Sequence, residues 1–243
     1  MKINNLSFGR HAIAALLESS SATIKLLHVL KTQDAKLQQL IAKAEKMGVQ
    51  IKWCSRKRLD QLSNSANHQG LVAELMATTV GGEFDFNEQL ENSDLILVLD
   101  GVQDPHNLGA CLRSADAFGA GMVVVPKDNA VGLTPVVRKV ACGAAETVPL
   151  QQVTNLARSL KQLQDAGFWL VGLAGETDIN LSSLDLSGKV AIVMGAEGKG
   201  LRKLTREICD FLVKIPMQGS VESLNVSVAT GISLYEVRRA QGA

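Results

Sequence analysis

Apolar and polar positions follow two periods along this chain, one helical and one alternating, and the two change places often enough to predict an α/β protein. Residues 12–17 have the spacing of an amphipathic helix just after the turn-like Phe8-Gly9-Arg10, and residues 25–30 alternate as a strand does. Leu37, Leu40, Ile41 and Ala44 share one face of a helix over residues 37–47; Gly48 stops it and Val49-Gln50-Ile51 opens another strand. A short helix is expected over residues 59–64, and the polar turn Asn67-His68-Gln69-Gly70 leads into a strand at 71–75. The pattern then lapses. Thr78-Thr79-Val80-Gly81-Gly82-Glu83 and the acidic residues up to Asn92 show no period and read as a flexible linker.

From Leu95 onward, short apolar runs end in Gly, Pro or Asp and are followed by helical stretches, which is the pattern of a parallel sheet. Strands are predicted at residues 95–99, 122–125, 168–173, 190–194 and 211–215, with helices at 108–118, 135–142, 156–165, 201–209 and 226–240. The expected organisation is therefore a small α/β domain over 1–78, a linker over 79–92 and a parallel-sheet domain over 93–243. Ligands of open parallel sheets gather beyond the carboxyl ends of the strands. This chain places Asp100-Gly101, Gly195-Ala196-Glu197-Gly198 and the loop after Ile215 there.

Composition narrows the class. No apolar run approaches the roughly 20 residues of a membrane span, and Arg10, His11 and Glu18 interrupt what a secretory signal would keep apolar, so a cytoplasmic protein is expected. Cys54, Cys111, Cys142 and Cys209 are widely spaced, with no Cys-x-x-Cys pair and no His at ligand spacing. Free, mostly buried thiols are expected, and no metal site. The net charge of +1 hides an asymmetry: residues 1–78 carry 11 Lys/Arg against 5 Asp/Glu, residues 79–92 carry 4 acids and no base, and residues 93–243 carry 14 against 15. A polyanion would be drawn to the N-terminal part, where Lys52, Arg56, Lys57 and Arg58 cluster; a solvated basic face is the plainer alternative.

Three stretches carry candidate chemistry. In the first, the chain turns through Asp104-Pro105-His106-Asn107 into a helix bearing Arg113. An Arg near a helix entry makes a good phosphate or ribose clamp, while a surface ion pair with Asp116 is the alternative. Asn107 is a candidate helix cap and His106 a candidate acid/base group or a simple turn residue. In the second, Gly195-Ala196-Glu197-Gly198-Lys199-Gly200 follows a buried strand but fits neither the Walker nor the dinucleotide fingerprint; it reads as a loop whose backbone approaches a flat or bulky ligand, with Glu197 at its mouth. In the third, Ser223-Leu224-Asn225 supplies capping chemistry before Val226, and Ser227, Ala229 and Gly231 let other backbone approach the helix that follows.

In order and spacing, NLGACLRSADAFG, IVMGAEGKGL and IPMQGSVESLNVSVATGISLYE closely resemble the three motifs of the SpoU (TrmH-like) family of RNA ribose 2′-O-methyltransferases. FGRHAIAALLE and NHQGLVAEL resemble the family's RNA-binding domain, so the likeness covers nearly the whole chain. Within the family the likeness is greatest to the members that modify a guanosine of bacterial 23S rRNA; a tRNA substrate, or a non-catalytic ribosome-assembly role, are the competing readings.

The resemblance implies a SPOUT-type domain with a C-terminal trefoil knot, a homodimer formed through the knotted region, and S-adenosylmethionine as cofactor, with no metal. By carry-over Gly195, Ile215 and Leu224, with Ser223 beside them, hold the cofactor, and Asn107, Arg113, Glu197 and Asn225 serve the reaction. Arg113 is expected to stabilise the developing alkoxide and clamp phosphate, because a guanidinium is a poor base. Asn107 and Asn225 are expected to orient it, and Glu197 to fix Arg113 or a backbone donor. None of the four cysteines suits the covalent route of base-carbon methylation.

Overall fold

A computed structural model describes residues 6–18, 24–32, 34–64, 67–75 and 83–242. In chain order the elements are β1 (Leu6–Phe8), α1 (Arg10–Glu18), β2 (Ile24–Leu30), α2 (Ala35–Lys46), β3 (Ile51–Cys54), α3 (Arg56–Leu62), β4 (Leu71–Leu75), α4 (Glu83–Asn92), β5 (Leu95–Asp100), α5 (Pro105–Ala117) and β6 (Met122–Pro126). There follow α6 (Pro135–Ala141), α7 (Ala144–Thr147), β7 (Leu150–Val153), α8 (Leu156–Asp165), β8 (Trp169–Leu173), a 3-10 turn (Leu181–Ser183), β9 (Val190–Gly195), α9 (Lys203–Ile208), β10 (Phe211–Val213) and α10 (Val226–Ala240). No helix among the described residues is long and apolar enough to cross a membrane.

The contacts divide the chain into two units: the described residues of 1–79 together with 133–147, and those of 80–132 together with 148–243. The first unit is built on a mixed four-stranded sheet in the order β1-β4-β2-β3, with β4 antiparallel to β1 and β2 and with β2 parallel to β3. Alternation along β2 sends Leu27 and Val29 into a core with Ile13, Leu16, Leu37 and Ile41 of α1 and α2. Leu59 of α3 packs with Leu6, Phe8 and Val72 in a second cluster. Residues 133–147 join this unit through α6 against β1 and α7 against α1. The fit is close at Gly143, whose φ of +108° suits only glycine, and where a Cβ would stand 2.6 Å from that of Ala15. Arg138 and Glu146, both buried, form an ion pair within the segment.

The second unit is a six-stranded, wholly parallel sheet in the order β10-β8-β9-β5-β6-β7. Chain order runs outward from β5 in one direction through β6 and β7, and the other flank is filled by β8, β9 and β10. The crevice between β5 and β9 is thus the place where the strand order reverses.

Several local expectations are corrected. Residues 83–92, read as aperiodic, form α4, because Phe86 and Leu90 stand four apart and are both buried in the core of the second unit. The boundary at residues 78–79 and the glycines at 81–82 lie outside the described residues. Phe8, read as part of a turn, closes strand β1. Strand β7 goes unpredicted because Gln151 and Gln152 break its apolar run, and it sits at the sheet's edge. Of the four free thiols, expected to be mostly buried, Cys111 alone is; Cys142, at the end of the helix expected over 135–142, is exposed as the left-handed cap that ends α6, with φ 55°.

Candidate active site at the carboxyl ends of the parallel strands

Asp100 and Gly195 face each other in register at the ends of β5 and β9. The chain beyond Gly195 doubles back at once: Ala196 N–H donates to the Gly200 carbonyl at 3.1 Å and Gly200 N–H to the Ala196 carbonyl at 2.9 Å. A Cβ on residue 195 would lie 2.1 Å from the Gly200 carbonyl carbon, so only glycine permits this return. Where the loop ends, the buried carboxylate of Asp100 accepts from Arg202 N–H at 3.1 Å and from its Nε at 2.5 Å. Desolvating a carboxylate is costly, and these charge-assisted bonds offset that cost while fixing the loop's exit.

Three polar side chains distant in sequence meet at the loop's tip. Asp104, and not Asn107, caps α5, accepting from His106 N–H at 3.0 Å with Pro105 in the first turn. Asn107, released from capping and nearly buried, donates through Nδ2 to Glu197 Oε2 at 3.2 Å. Asn225 caps α10, its Oδ1 accepting from Ser227 N–H at 2.9 Å and from the Ser227 hydroxyl at 2.6 Å. Its Nδ2 reaches Glu197 Oε1 at 2.7 Å and Asn107 Oδ1 at 3.0 Å. Both oxygens of Glu197 therefore accept from amides anchored at two helix entries, which fixes the carboxylate in place. Arg113 stands on the exposed surface of α5, six residues beyond Asn107. His106 is exposed in the first turn of the same helix.

A cavity of about 890 Å³ opens beside the triad. Gly195, Glu197, Ile215, Ser223 and Leu224, all picked out from the sequence, line it. Missed in the sequence is the exit of β8, where Leu173, Ala174, Gly175 and Glu176 form another wall. The available signal was an Ala-Gly pair after an apolar strand of the same sheet. The cavity suits a small ligand with a flat apolar part: Met194, Leu201, Val213 and Val226 give apolar surface, and the loops give backbone donors and acceptors. Of its charged groups, Glu176 is paired with Arg206.

Neither of the two more buried thiols in this unit is poised to react. Burial pushes Cys111 up to about 11 and Cys209 up to about 12, the neighbouring carboxylates of Asp210 and Asp100 adding to the second. Among the described residues no group of three or more His, Cys, Asp or Glu is placed to hold a metal ion.

With this geometry in view, comparison with known proteins is specific. The SpoU rRNA methylase family matches residues 94–235, and the substrate-binding domain of RNA 2′-O ribose methyltransferases matches residues 6–78. The 23S rRNA (guanosine-2′-O-)-methyltransferase RlmB of Shewanella oneidensis is 57% identical over 242 residues, covering 98% of each chain. The RlmB of Vibrio cholerae is 52% identical over 239 residues, 97% of each. Among solved structures, an RNA 2′-O ribose methyltransferase aligns with TM-score 0.81 at 29% identity, over 98% of this chain and 89% of that one. An AdoMet-bound rRNA methyltransferase from Sinorhizobium meliloti aligns with TM-score 0.79 at 24% identity, over 96% and 86%, a likeness of fold. The chain belongs to the SpoU rRNA methylase family.

Proposed function

We propose that this protein methylates the ribose 2′-oxygen of a guanosine in 23S rRNA, in the cytoplasm, with S-adenosylmethionine as methyl donor. The observation that carries the proposal is the 57% identity with the Shewanella RlmB over 98% of both chains. Gly195, Ile215, Ser223 and Leu224 would hold the cofactor, chiefly through backbone groups. When bound, it supplies a methyl group already activated by a positive sulfur, so that the protein's task is placement and charge.

The triad of Asn107, Glu197 and Asn225 gives a fixed carboxylate beside the cavity, set before any substrate arrives. Arg113 is assigned the developing alkoxide and the adjoining phosphate, since its guanidinium stays protonated and offers a planar fork to oxygens. Residues 1–78 are assigned to RNA docking and 93–243 to methyl transfer, with residues 79–92 joining them. The match of 6–78 to a substrate-binding domain supports this division.

A trefoil knot in the second unit and a homodimer belong to the same proposal. For the knot, the support is that the chain leaves edge strand β10 and returns so that α10 packs on β9 and α5, near the middle of the sheet. For the dimer, α10 presents Val228, Ile232 and Tyr235 on one exposed face at helical spacing, an apolar stripe suited to a second copy.

The test uses the alkali resistance of a 2′-O-methylated linkage. Unmethylated 23S rRNA and tRNA are each incubated with the protein and methyl-tritiated S-adenosylmethionine, then hydrolysed in alkali. Label is expected in an uncut dinucleotide from 23S rRNA. Label in mononucleotides would show a modified base, label in tRNA alone would move the substrate, and no label would remove the activity.

A further inference from the structure

The chain has two tryptophans, and only one has an aromatic partner among the described residues. Trp169, in the second unit, lies against Phe211 with ring centres 5.5 Å apart. Trp53, in the first, is 52% exposed on β3, the edge strand of its sheet, with no aromatic neighbour among the described residues. A half-exposed ring on an edge strand is accessible to a stacking partner; Trp169 is exposed to the same 52%, so what sets Trp53 apart is what surrounds it.

Its surroundings are cationic. Leu30 pairs with Cys54 across the parallel strands, so Lys31 leaves β2 at the same end from which Ser55, Arg56, Lys57 and Arg58 leave β3. Lys31, Lys52, Arg56, Lys57 and Arg58 are all exposed, and among the described residues none of the five is in an ion pair. The acid on α3, Asp60, is engaged by His68 Nε2 at 3.0 Å. Three cations in the first turn of α3 also work against the helix dipole, with no acid in that turn to offset them. Lys52 and Trp53 point to opposite faces of the edge strand, so a polyanionic strand draped over the edge meets both. A protein strand adding to this edge fits less well, because unpaired Lys and Arg beside an edge oppose such pairing.

We propose that Trp53 is a stacking platform for an unpaired RNA base, with the flanking phosphates held by Lys31, Lys52 and Arg56–Arg58. The proposal rests on the assignment of RNA docking to this unit, and adds that the substrate is gripped at a single-stranded loop or bulge. Unpaired bases splay out and stack on aromatic rings, whereas the bases of a continuous duplex are not available to do so.

The full-length Trp169→Phe protein carries Trp53 as its one tryptophan and gives a direct readout. Poly(A) is expected to quench its fluorescence, because stacking tolerates any base, and a poly(A)·poly(U) duplex is expected to leave it nearly unchanged. Trp53→Ala should weaken poly(A) binding about tenfold with the salt dependence unaltered, and Trp53→Phe should recover most of the loss. Arg56→Ala and Arg58→Ala should instead flatten the salt dependence. Equal quenching by duplex and single strand, or undiminished poly(A) affinity in Trp53→Ala, overturns the proposal and leaves the ring to another partner such as a protein. Methyl transfer to 23S rRNA, measured on the same preparations, separates the two levels. Transfer without quenching refutes only the stacking, and quenching without transfer refutes only the assigned reaction.

Discussion

Asp100 and Glu197, at the ends of β5 and β9, are held by donors from distant parts of the chain, whereas Lys31, Lys52, Arg56, Lys57 and Arg58, around β3, have no acid partner among the described residues. The roles proposed for the two regions would account for the difference. A group that stabilises a transition state must be in place beforehand, since reorganising it during the reaction would raise the barrier. A docking surface works through its outward field and through counterions released on contact, and charges neutralised within the protein would contribute less to either. Mutations at the first region should therefore change rate or cofactor affinity, and mutations at the second the affinity for RNA and its response to salt.

The largest effect is expected at Arg113. Arg113→Ala should lower methyl transfer by about 10²–10³-fold while leaving S-adenosylmethionine affinity close to that of the parent. Calorimetry with the cofactor and a single-turnover transfer assay measure the two quantities, and near-normal turnover would remove Arg113 from the chemistry. This would also test the comparison itself, because Arg113 lies on the exposed surface of α5, whereas Asn107 on the same helix is nearly buried and bonded to Glu197.

A smaller effect should come from the clamp on the loop after Gly195. Asp100→Asn keeps the size of the side chain but gives up the charge that both the Arg202 N–H and its guanidinium use. Loss of one partner of a buried, charge-assisted bond is severe when the other partner stays buried. Arg202 is about half exposed, with 53% of its side chain accessible, and rehydrates. A loss of about tenfold in cofactor affinity, worth about 1.4 kcal/mol, is therefore expected. Arg202→Ala should be milder, because the backbone N–H still reaches Asp100. Unchanged cofactor binding in Asp100→Asn would mean that the Ala196–Gly200 hairpin holds its shape unaided.

How far the sequence revealed these regions depends on how local the determining interactions are. Strands β5, β6 and β9 were legible because strands buried on both faces leave unbroken apolar runs such as Leu95-Ile96-Leu97-Val98-Leu99. Helix α10 was legible to its observed ends because Asn225 caps it and Val226, Thr230, Leu234 and Val237 recur at helical spacing. Strand β7 and helix α4 were not, since Gln151, Gln152 and a mostly polar decapeptide hide two short elements that only the assembled core stabilises. At the site, Gly195, Glu197, Ile215, Ser223 and Leu224 were named from motif resemblance and line one cavity. No local pattern could announce that Asp100 would meet Arg202 across 102 residues, or that Asp104 would take the capping position and leave Asn107 for Glu197.

The smallest effect is expected where the second unit does carry a solvent-exposed ion pair, near the end of α10. Arg238 donates from Nε to the Phe118 carbonyl at 2.6 Å, from Nη2 to the Gly119 carbonyl at 2.8 Å and from Nη1 to Asp94 at 2.9 Å, tying the helix to the turn before β6. The hydrogen bond from Arg238, and then its charge, hold the Asp94 carboxyl below its ordinary range, against some desolvation. A carboxylate whose pKa is lowered by folding stabilises the folded state above its unfolded pKa, and that contribution fades as acid carries the pH down through the folded value. Asp94 is 56% exposed, so solvent screening should keep the effect below about 1 kcal/mol. Asp94→Asn is accordingly expected to lower the melting temperature by about 2 °C near neutral pH and low salt, with the deficit vanishing in strong acid or high salt. Arg238→Ala should cost more and keep most of its deficit in acid, because the Phe118 and Gly119 carbonyls lose their donors whatever the pH. Melting curves of both variants across pH decide the point: a deficit in Asp94→Asn that persists undiminished in strong acid would show that the ion pair is not its source.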